Sequence, residues 1–418
     1  MLHRRQALVD RLPDPHLAAG QADVRVGQRR RVSRNVGCVE GRQELLGHRH
    51  RAGYGALVVE HGTTLATRPR AWQGGDVTTL PAAGLHADAL VVDTHVHGPR
   101  FVPQPFRSLY RLVNRRTMPA DLGFDVLAAS GVDVVVGTAV GDPVVTRWYG
   151  RDAWHAVLTQ IDQLVAEIMS VGGSVALDVA AVRAAHTTGR PSLVLGLEGA
   201  DAIGSDLDRL DELHRLGVRT IIPVHLGDNP IGTTSLPWQR YVGPLPVRRS
   251  RRLGLSSFGR SFVERANRLG IIVDVSHADP TTTMAIVEAS TAPVMASHSG
   301  ARACDDFARY VTDEEARAIA GTGGVIGLWP YFHRGRGVRS LDTLLGHARH
   351  LVDLVGARHL CIGTDMNGVP GLMDGYRGEA DLSVITEGLL RIGLAEADVR
   401  AILGESFLRV LEAVTGHE

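Results

Sequence analysis

The sequence predicts an α/β protein in which eight parallel strands and their interleaved helices close into a (β/α)8 barrel, the TIM barrel. From residue 88 onward, short β-branched runs alternate with amphipathic segments, which is typical of βα units and a parallel sheet. Eight such buried runs are present, the number that this closed barrel needs. No GxGxxG follows the first run, which disfavours the alternative, an open doubly wound sheet.

Each predicted strand is a short apolar run bounded by polar or turn residues. The strands are expected at 89–94, 132–138, 192–197, 219–224, 271–276, 293–297, 324–329 and 359–364. Amphipathic stretches predict helices at 152–171, 206–216, 257–269, 280–290, 312–321, 340–356 and 395–414.

Residues 1–85 lack this pattern. They contain 13 arginines against 7 acidic residues and show no sustained helical or strand period. Charge without pattern is typical of solvated chain, so we expect a disordered or non-native N-terminal extension, with a basic arm as the alternative. The barrel is expected to occupy residues 86–418, with its active site at the carboxyl ends of the strands.

Composition excludes several classes of chemistry. The sequence contains no lysine, which excludes a lysine Schiff base, a Walker-type lysine and a carbamylated lysine bridging two metals. The 45 basic residues balance 45 acidic ones, which predicts neither nucleic acid nor an anionic membrane as partner. No apolar run of about 18 residues predicts a transmembrane helix. The three cysteines form no CxxC or spaced framework, so we expect a cytoplasmic protein.

Most of the predicted strands end in an imidazole or a carboxylate. These residues are His95 and His97 after the first strand, Glu198 after the third, His225 after the fourth, His277 after the fifth, His298 after the sixth and Asp365 after the eighth. In a barrel, these ends meet at one mouth, where catalytic residues lie. A single histidine after a strand is usually structural. Imidazoles and carboxylates at the ends of so many strands, all at the same end of the barrel, predict a metal site.

The residue types favour zinc. Imidazole nitrogen and carboxylate oxygen are its usual ligands besides thiolate, and catalytic sites leave one position open for water. His95 and His97 are two residues apart, so both can face the mouth from one side of a strand. Glu198 could bridge two metals, which can hold a hydroxide between them and polarise a carbonyl. Asp365 is then free to take and return the proton during amide cleavage.

Six ordered motifs lie on the predicted barrel. They are GLEG at 196–199, TIIPVH at 220–225, GLSSFGR at 254–260, NRLGIIVDVSH at 267–277, APVMASHS at 292–299 and IGTD at 362–365. These motifs resemble the membrane (renal) dipeptidase family of zinc metallopeptidases, within the amidohydrolase-like metal-dependent hydrolases. The resemblance runs from about residue 89 to about residue 412. It implies zinc-dependent hydrolysis of dipeptides or of related small amides with a free carboxylate.

The resemblance also implies roles for individual residues. One zinc ion would be bound by His95, His97 and Glu198, and the other by Glu198, His277 and His298. Asp365 would be the acid/base beside the bridging water. His225 would contact the substrate and stabilise the tetrahedral oxyanion. Arg309, in the segment RYVTD at 309–313, would hold the terminal carboxylate of the substrate, a contact that suits a guanidinium fork.

Two positions depart from the family pattern. His97 stands where the family usually has Asp; the wider amidohydrolase superfamily uses HxH, so metal binding survives, but dipeptidase specificity follows less directly. Asn367 also stands where the family usually has Asp, and no catalytic role is required there. The HxH pair keeps a second enzyme class open, namely deamination or the opening of a lactone or cyclic amide. A non-catalytic metal-binding relative is disfavoured because Asp365 is retained.

Two further features stay open. The loop from Asp228 to Arg252, with a basic cluster at Arg248–Arg252, could cover the mouth as a lid or be a solvated loop. The sequence also leaves open whether the chain forms a homodimer.

Overall fold

The structure, a computed structural model, describes residues 82–115, 117–149, 152–242, 246–247, 249–250 and 253–416. The expected extension, 1–85, lies outside the described residues as far as Pro81. The last four residues of that range are described. They form the start of a helix, Ala82–Asp88, in which Leu85 is fully buried. His86 of this helix is hydrogen-bonded to Thr386 at 2.7 Å. The expected boundary at residue 86 is therefore too late, since the folded domain already includes Ala82.

Eight strands form the barrel, and all eight predicted strands are confirmed, with shifted ends. They are β1 Val92–Val96, β2 Val134–Val140, β3 Ser192–Glu198, β4 Val218–Ile222, β5 Ile272–Val273, β6 Met295–Ser299, β7 Val325–Leu328 and β8 Leu360–Ile362. A two-residue strand, Ser174–Val175, pairs with β3, and a hairpin pairs Phe332–His333 with Arg336–Gly337.

The eight strands are parallel and follow the order β5-β4-β3-β2-β1-β8-β7-β6. A parallel bridge between Asp274 and Met295 joins the two ends of this order. Beside it, the Val275 N–H donates to the Met295 carbonyl oxygen at 2.7 Å. These contacts bring the sheet round into a barrel, as the sequence predicts, rather than leaving it open.

Helices surround the strands. They are α1 Ala82–Asp88, α2 Gln104–Asn114, α3 Val126–Ser130, α4 Pro143–Thr146, α5 Ala153–Ser170, α6 Val179–Thr187, α7 Asp208–Arg215, α8 Gln239–Val242, α9 Ser257–Arg268, α10 Pro280–Ala289, α11 Asp313–Gly321, α12 Leu341–Val355, α13 Ser383–Arg391, α14 Glu396–Arg400 and α15 Ser406–Thr415. The predicted helices are confirmed to within two residues, except that 395–414 is divided into α14, a π-helical segment Ala401–Glu405 and α15. Among the described residues, no helix is both long and apolar enough to span a bilayer.

Apolar side chains at the amino ends of the strands pack with the last helix. Val92, Val134, Ile272 and Met295 each begin a strand and are buried in one cluster with Phe407 of α15. Full burial of such a side chain is worth ~1.5–3 kcal/mol. The helix α15 therefore covers the amino end of the barrel, and the carboxyl end remains for polar residues.

Side-chain caps determine where several helices begin. Ser256, Asp279 and Ser340 accept hydrogen bonds from backbone N–H groups in the first turns of α9, α10 and α12. Thr312 and Glu315 form a capping box at the start of α11. Each cap is worth about 1 kcal/mol. The Asp279 cap also fixes the far end of the short loop that follows β5, two residues from one of the predicted site histidines.

Candidate metal centre

The strand β1 delivers His95 and His97 to the carboxyl end of the barrel. Both side chains are buried, and their ring centroids lie 5.1 Å apart. The Nδ1 atom of His97 donates to the carbonyl oxygen of Thr138 at 3.0 Å, which leaves Nε2 facing the mouth. Phe101 stacks on the same ring at 4.1 Å. These contacts fix both the tautomer and the orientation of His97, as outer contacts commonly do for metal-binding histidines.

Glu198, the last residue of β3, lies at the centre of the cluster. The distances from its carboxylate oxygens to histidine Nε2 atoms are 3.5 Å for His95, 3.4 Å for His97, 3.5 Å for His225, 3.0 Å for His277 and 3.7 Å for His298. Burial raises the pKa of Glu198, but the surrounding histidines outweigh burial and hold the pKa well below its usual range. Glu198 is therefore a carboxylate ion, placed where a cation would lie.

His277 follows β5, and His298 belongs to β6. Their Nε2 atoms are 3.1 Å apart, and burial holds the pKa of both rings well below the usual range. Both rings are neutral, so each offers a nitrogen lone pair. His277 has a φ of 74°, a left-handed conformation that residues with a Cβ rarely adopt. Strained backbone of this kind clusters at functional sites.

The two histidines of β1 differ in charge. Burial lowers the pKa of His95 to about 3. Burial also lowers the pKa of His97, but the carboxylates of Asp365 and Glu198 outweigh it and raise the pKa to about 10. A metal ion at His97 must therefore displace a proton from Nε2, which couples metal binding to pH.

Asp365 follows β8 and lies beside His97. Its Oδ1 atom is 3.4 Å from His97 Nε2 and 4.0 Å from His95 Nε2. Its backbone N–H donates to the His95 carbonyl oxygen at 2.9 Å, and its φ is 58°. Burial raises the pKa of Asp365, which suits a carboxyl group that takes up and returns a proton. Asn367 donates to the His97 carbonyl oxygen at 3.0 Å and so holds this loop against β1.

Beneath the histidines, a buried carboxyl pair joins β1 to β8. Asp93 accepts hydrogen bonds from the backbone N–H groups of His95 and Thr364, at 3.1 and 3.0 Å, and from the Thr364 hydroxyl at 2.5 Å. Burial and the neighbouring Asp93 raise the pKa of Glu379 well above its usual range. Glu379 is therefore held protonated. The pair fixes the strand ends that carry His95 and Asp365, and the sequence analysis identified neither member.

His225 follows β4 and is held by a second carboxylate that the sequence analysis did not identify. Its Nδ1 atom donates to Asp142 Oδ2 at 2.6 Å. Burial lowers the pKa of His225, but Glu198 and Asp142 outweigh burial and raise it. The Nε2 atom of a protonated ring can donate to an oxyanion in the mouth. Asp142 lies two residues beyond β2, and that position at a strand end was the available signal.

Arg309 reaches the site from the segment between β6 and α11. Its guanidinium carbon lies 4.9 Å from the centre of the Trp329 ring, and the residue is 3% exposed. Within the described part of the chain, its Nε and Nη2 atoms have no hydrogen-bond partner. A buried guanidinium with unpaired donors is costly unless a ligand satisfies it.

The donor spacing fits metal coordination. Four ligands about 2.0–2.1 Å from a tetrahedral zinc ion lie about 3.3–3.4 Å from one another, and the separations between Glu198 and the predicted histidine ligands range from 3.0 to 3.7 Å. Among the described residues, three overlapping groups have ligand atoms within 4.8 Å: His95 with Glu198 and His298, His95 with His97 and Asp365, and Glu198 with His225 and His277. The structure thus brings all the predicted donors together, and it also places Asp365 and His225 within this cluster.

The loop after β4 forms one wall of the mouth. The Ser235 N–H donates to the His277 carbonyl oxygen at 2.7 Å, and Tyr241 lies against Arg309. The described part of the loop 228–252 therefore lies against the site. Its basic cluster, Arg248–Arg252, falls partly outside the described residues, at positions 248, 251 and 252.

Comparison with known proteins identifies the family. The model of the membrane dipeptidase family, peptidase family M19, matches residues 81–417. The chain belongs to this family. The matched region contains α1 and every strand of the barrel. A solved protein, the dipeptidase AC, described as a metallopeptidase of family M19, is similar to the chain. It is 24% identical with a TM-score of 0.65, over 78% of this chain and 99% of that one, and this likeness shows the fold.

Curated relatives are similar to part of the chain. Dipeptidase aclJ of Aspergillus oryzae is 32% identical over 233 residues, which are 54% of this chain and 52% of the relative. Dipeptidase 3 of Rattus norvegicus is 29% identical over 271 residues, which are 63% of this chain and 53% of the relative. The chain thus spans about half the length of the curated relatives it matches.

A solved metallopeptidase from Rhodobacter sphaeroides, bound to a phosphinate mimic of the dipeptide L-Ala-D-Ala, also resembles the chain. It is 25% identical with a TM-score of 0.64, and the match covers 78% of this chain and 100% of that one. This likeness and the family match agree with the (β/α)8 barrel.

Proposed function

We propose that the chain hydrolyses dipeptides, or related small amides with a free carboxylate, at a centre of divalent metal ions. The observation that carries this proposal is the convergence of five imidazoles on one buried carboxylate, Glu198, beside Arg309, whose Nε and Nη2 atoms have no partner among the described residues. Family membership and the dipeptide mimic bound by a related metallopeptidase support the same reaction.

Two zinc ions fit the donor set. His95, His97 and Glu198 would hold one ion, and Glu198, His277 and His298 the other. Imidazole and carboxylate are suitable zinc ligands, and Glu198 has one oxygen near His97 and the other near His277. When bound, the ions would activate a water molecule and polarise the scissile carbonyl.

Asp365 would transfer the proton. Its carboxyl group lies beside His97 at the mouth, so it can accept a proton from the attacking water and pass it to the leaving amine. Burial raises its pKa, and a raised pKa makes the carboxylate a stronger base toward the attacking water.

His225 and Arg309 would bind the substrate. The protonated ring of His225, held by Asp142, would donate from Nε2 to the oxyanion of the tetrahedral intermediate. The unpaired donors of Arg309 would bind the terminal carboxylate, a geometry for which a planar guanidinium is suited.

Three further expectations stay predictions. The cytoplasmic location agrees with Cys304 and Cys361 being free thiols. The homodimer is untested. We also propose that the segment before α1 is not part of the catalytic domain, since the family match begins at residue 81.

The proposed reaction is tested by incubating purified protein with dipeptides and, separately, with substrates for deamination and for lactone opening. We expect release of free amino acids from a library of unblocked dipeptides, abolished by chelation and restored by zinc. If the protein catalyses deamination or lactone opening and cleaves no dipeptide, the alternative amidohydrolase reaction is the correct assignment. Dipeptide cleavage that survives complete removal of metal would contradict the proposed mechanism.

A further inference from the structure

A cavity of about 540 Å³ adjoins the metal centre, between the loop after β4 and the hairpin after β7. This volume is in the range of small-molecule sites, about 300–1,000 Å³. Tyr241, Phe307 and Tyr331 form its aromatic wall. We call this space the arginine cavity, because Arg240, Arg249, Arg334 and Arg336 line it and, among the described residues, no carboxylate does.

The inner wall of the arginine cavity is also the outer wall of the catalytic cluster. Tyr331 stacks on Trp329 at 4.3 Å, and Trp329 packs against His298 at 5.3 Å. Ser235, another lining residue, donates its N–H to the carbonyl oxygen of His277. Tyr241 lies against Arg309. A group attached to a substrate bound at the metals can therefore extend into this cavity.

The arginines of the cavity are only partly neutralised. Arg249 pairs with Asp228 at 3.2 Å and with Asp279 at 3.6 Å. In the part of the chain that the structure describes, neither Arg240 nor Arg336 has a carboxylate within ion-pair distance. The cavity therefore carries excess positive charge. Low-dielectric aromatic walls concentrate the field of such charges and favour an anionic ligand.

The terminal carboxylate of a dipeptide does not account for this charge. Arg309 is buried beside Trp329, and its Nε and Nη2 atoms have no partner among the described residues, so it already provides donors for the terminal carboxylate. Arg240 and Arg336 can therefore bind a second anionic group on the substrate. A carboxylate at the end of a short methylene chain matches aromatic walls that lead to guanidinium groups.

We propose that the arginine cavity selects dipeptides that carry an acidic side chain, an aspartyl or glutamyl residue, in addition to the free terminal carboxylate. This inference rests on the proposed dipeptidase function and defines the substrate class within it. Arg240 and Arg336 are the residues that set the preference.

Matched substrates test this preference in the wild-type protein. Glutamate and glutamine have nearly the same shape, so alanine dipeptides with glutamate in either position are compared with the same dipeptides containing glutamine. In at least one position we expect kcat/KM for the glutamate dipeptide to be about tenfold higher or more, because charge-assisted hydrogen bonds are roughly twice as strong as neutral ones. The advantage should shrink as ionic strength rises.

The variant Arg240→Gln/Arg336→Gln should reduce the glutamate-to-glutamine ratio to about one. Arg215→Gln/Arg317→Gln removes the same net charge from exposed positions on the outer helices α7 and α11 and should leave the ratio unchanged. Equal loss of the preference in both double variants would assign it to overall charge and overturn the inference.

Binding provides a readout that does not require turnover. Calorimetry with phosphinate pseudodipeptides, one bearing a glutamate and the other a glutamine side chain, should show the same preference. Equal affinity and equal kcat/KM for the two side chains, with both dipeptides cleaved, would overturn the inference and leave the proposed function standing. If no dipeptide is cleaved, the proposed function fails, and the calorimetric comparison alone decides whether the cavity selects an acidic side chain.

Discussion

His97 is the predicted ligand at which the resemblance to the family implies a departure from the usual pattern. Its Nδ1 atom donates to Thr138, and its Nε2 atom lies 3.4 Å from both Glu198 and Asp365. A neutral imidazole in place of a carboxylate makes the centre one charge more positive. This change would acidify bound water and weaken the hold on the first metal.

We expect His97→Ala to reduce the bound metal from two ions per chain to about one, because the site of Glu198, His277 and His298 remains. His97→Asp should keep both ions, since a carboxylate is also a suitable zinc ligand. Metal analysis of purified protein measures this directly. Two ions per chain and normal turnover in His97→Ala would mean that His97 is not a ligand.

Arg309 supports a prediction about the terminal carboxylate. Amidating the carboxyl terminus of the substrate should raise KM by roughly tenfold or more, because a hydrogen bond to a charged group is worth ~1.5–3 kcal/mol. In Arg309→Met the free and amidated substrates should bind equally well. Equal KM values in the wild-type protein would exclude Arg309 from this role.

Glu379 supports a prediction about stability and pH. Its folded-state pKa lies above the ordinary value of 4.5, so the folded protein retains a proton that the unfolded chain releases. This contribution to stability is fully present below pH 4.5 and is lost as the pH rises through the folded-state pKa. Glu379→Gln keeps the neutral shape and lacks the titration. We therefore expect its melting temperature, relative to wild type, to rise with pH above 4.5.

Each ~1 kcal/mol gained should raise the melting temperature by about 2 °C in a domain of this size. Glu379→Ala is the matched control. It should be destabilised at every pH, because it leaves a cavity and removes the partner of Asp93 and Thr364. A melting temperature of Glu379→Gln that falls relative to wild type as the pH rises would show that Glu379 is ionised in the folded protein.

The sequence predicted the candidate site residues that lie at or shortly beyond the carboxyl end of a strand, because parallel strands in a barrel bring these ends together. It did not reveal the residues that hold them. Asp142 and His225 are 83 positions apart, and Asp93 and Thr364 are 271 apart, so no local spacing signals either contact. Glu379 lies in a 3-10 turn, and its burial depends entirely on tertiary packing.

At the scale of elements, strand periodicity located every strand of the barrel but not its ends. The predicted fifth strand, 271–276, is a regular strand only at Ile272–Val273, and Asp274 adds an isolated bridge to Met295. The chain then turns and places His277 in a left-handed conformation. A turn that is set by tertiary contacts cannot be predicted from the local sequence pattern. The sequence analysis did not predict the helix α1. Its seven residues carry only a weak helical pattern, and most of them fall within the range assigned to the N-terminal extension.

The helix α1 supports a prediction about truncation. Deleting residues 1–78 should leave the melting temperature almost unchanged, whereas deleting 1–88 should lower it clearly, since Leu85 is fully buried and His86 is bonded to Thr386. Loss of a buried leucine side chain typically costs about 2.7–5 kcal/mol. The variant Leu85→Ala in the full chain measures the contribution of this leucine side chain to stability by itself. Equal stability of both truncations would show that α1 does not support the barrel.

At the scale of the whole molecule, two sets of contacts divide the barrel into a stable end and a reactive end. The helix α15 packs on the amino ends of the strands, and the histidines and Glu198 occupy the carboxyl ends. The chain as a whole has a net charge of zero, but the charges at this end are separated. The Glu198 carboxylate lies at the centre of the histidine cluster, and the arginines line the neighbouring arginine cavity. The reaction therefore depends on the charges at one end of the barrel.

The central claim is that two metal ions share Glu198 and that dipeptide cleavage requires both. The direct measurement is a zinc titration of chelated protein, with metal binding and dipeptide hydrolysis followed in the same samples. We expect turnover near zero without metal, a maximum at two ions per chain, and loss of both ions in acid as the ligands take up protons. Full turnover without metal, or maximal turnover with a single bound ion, would contradict the claim.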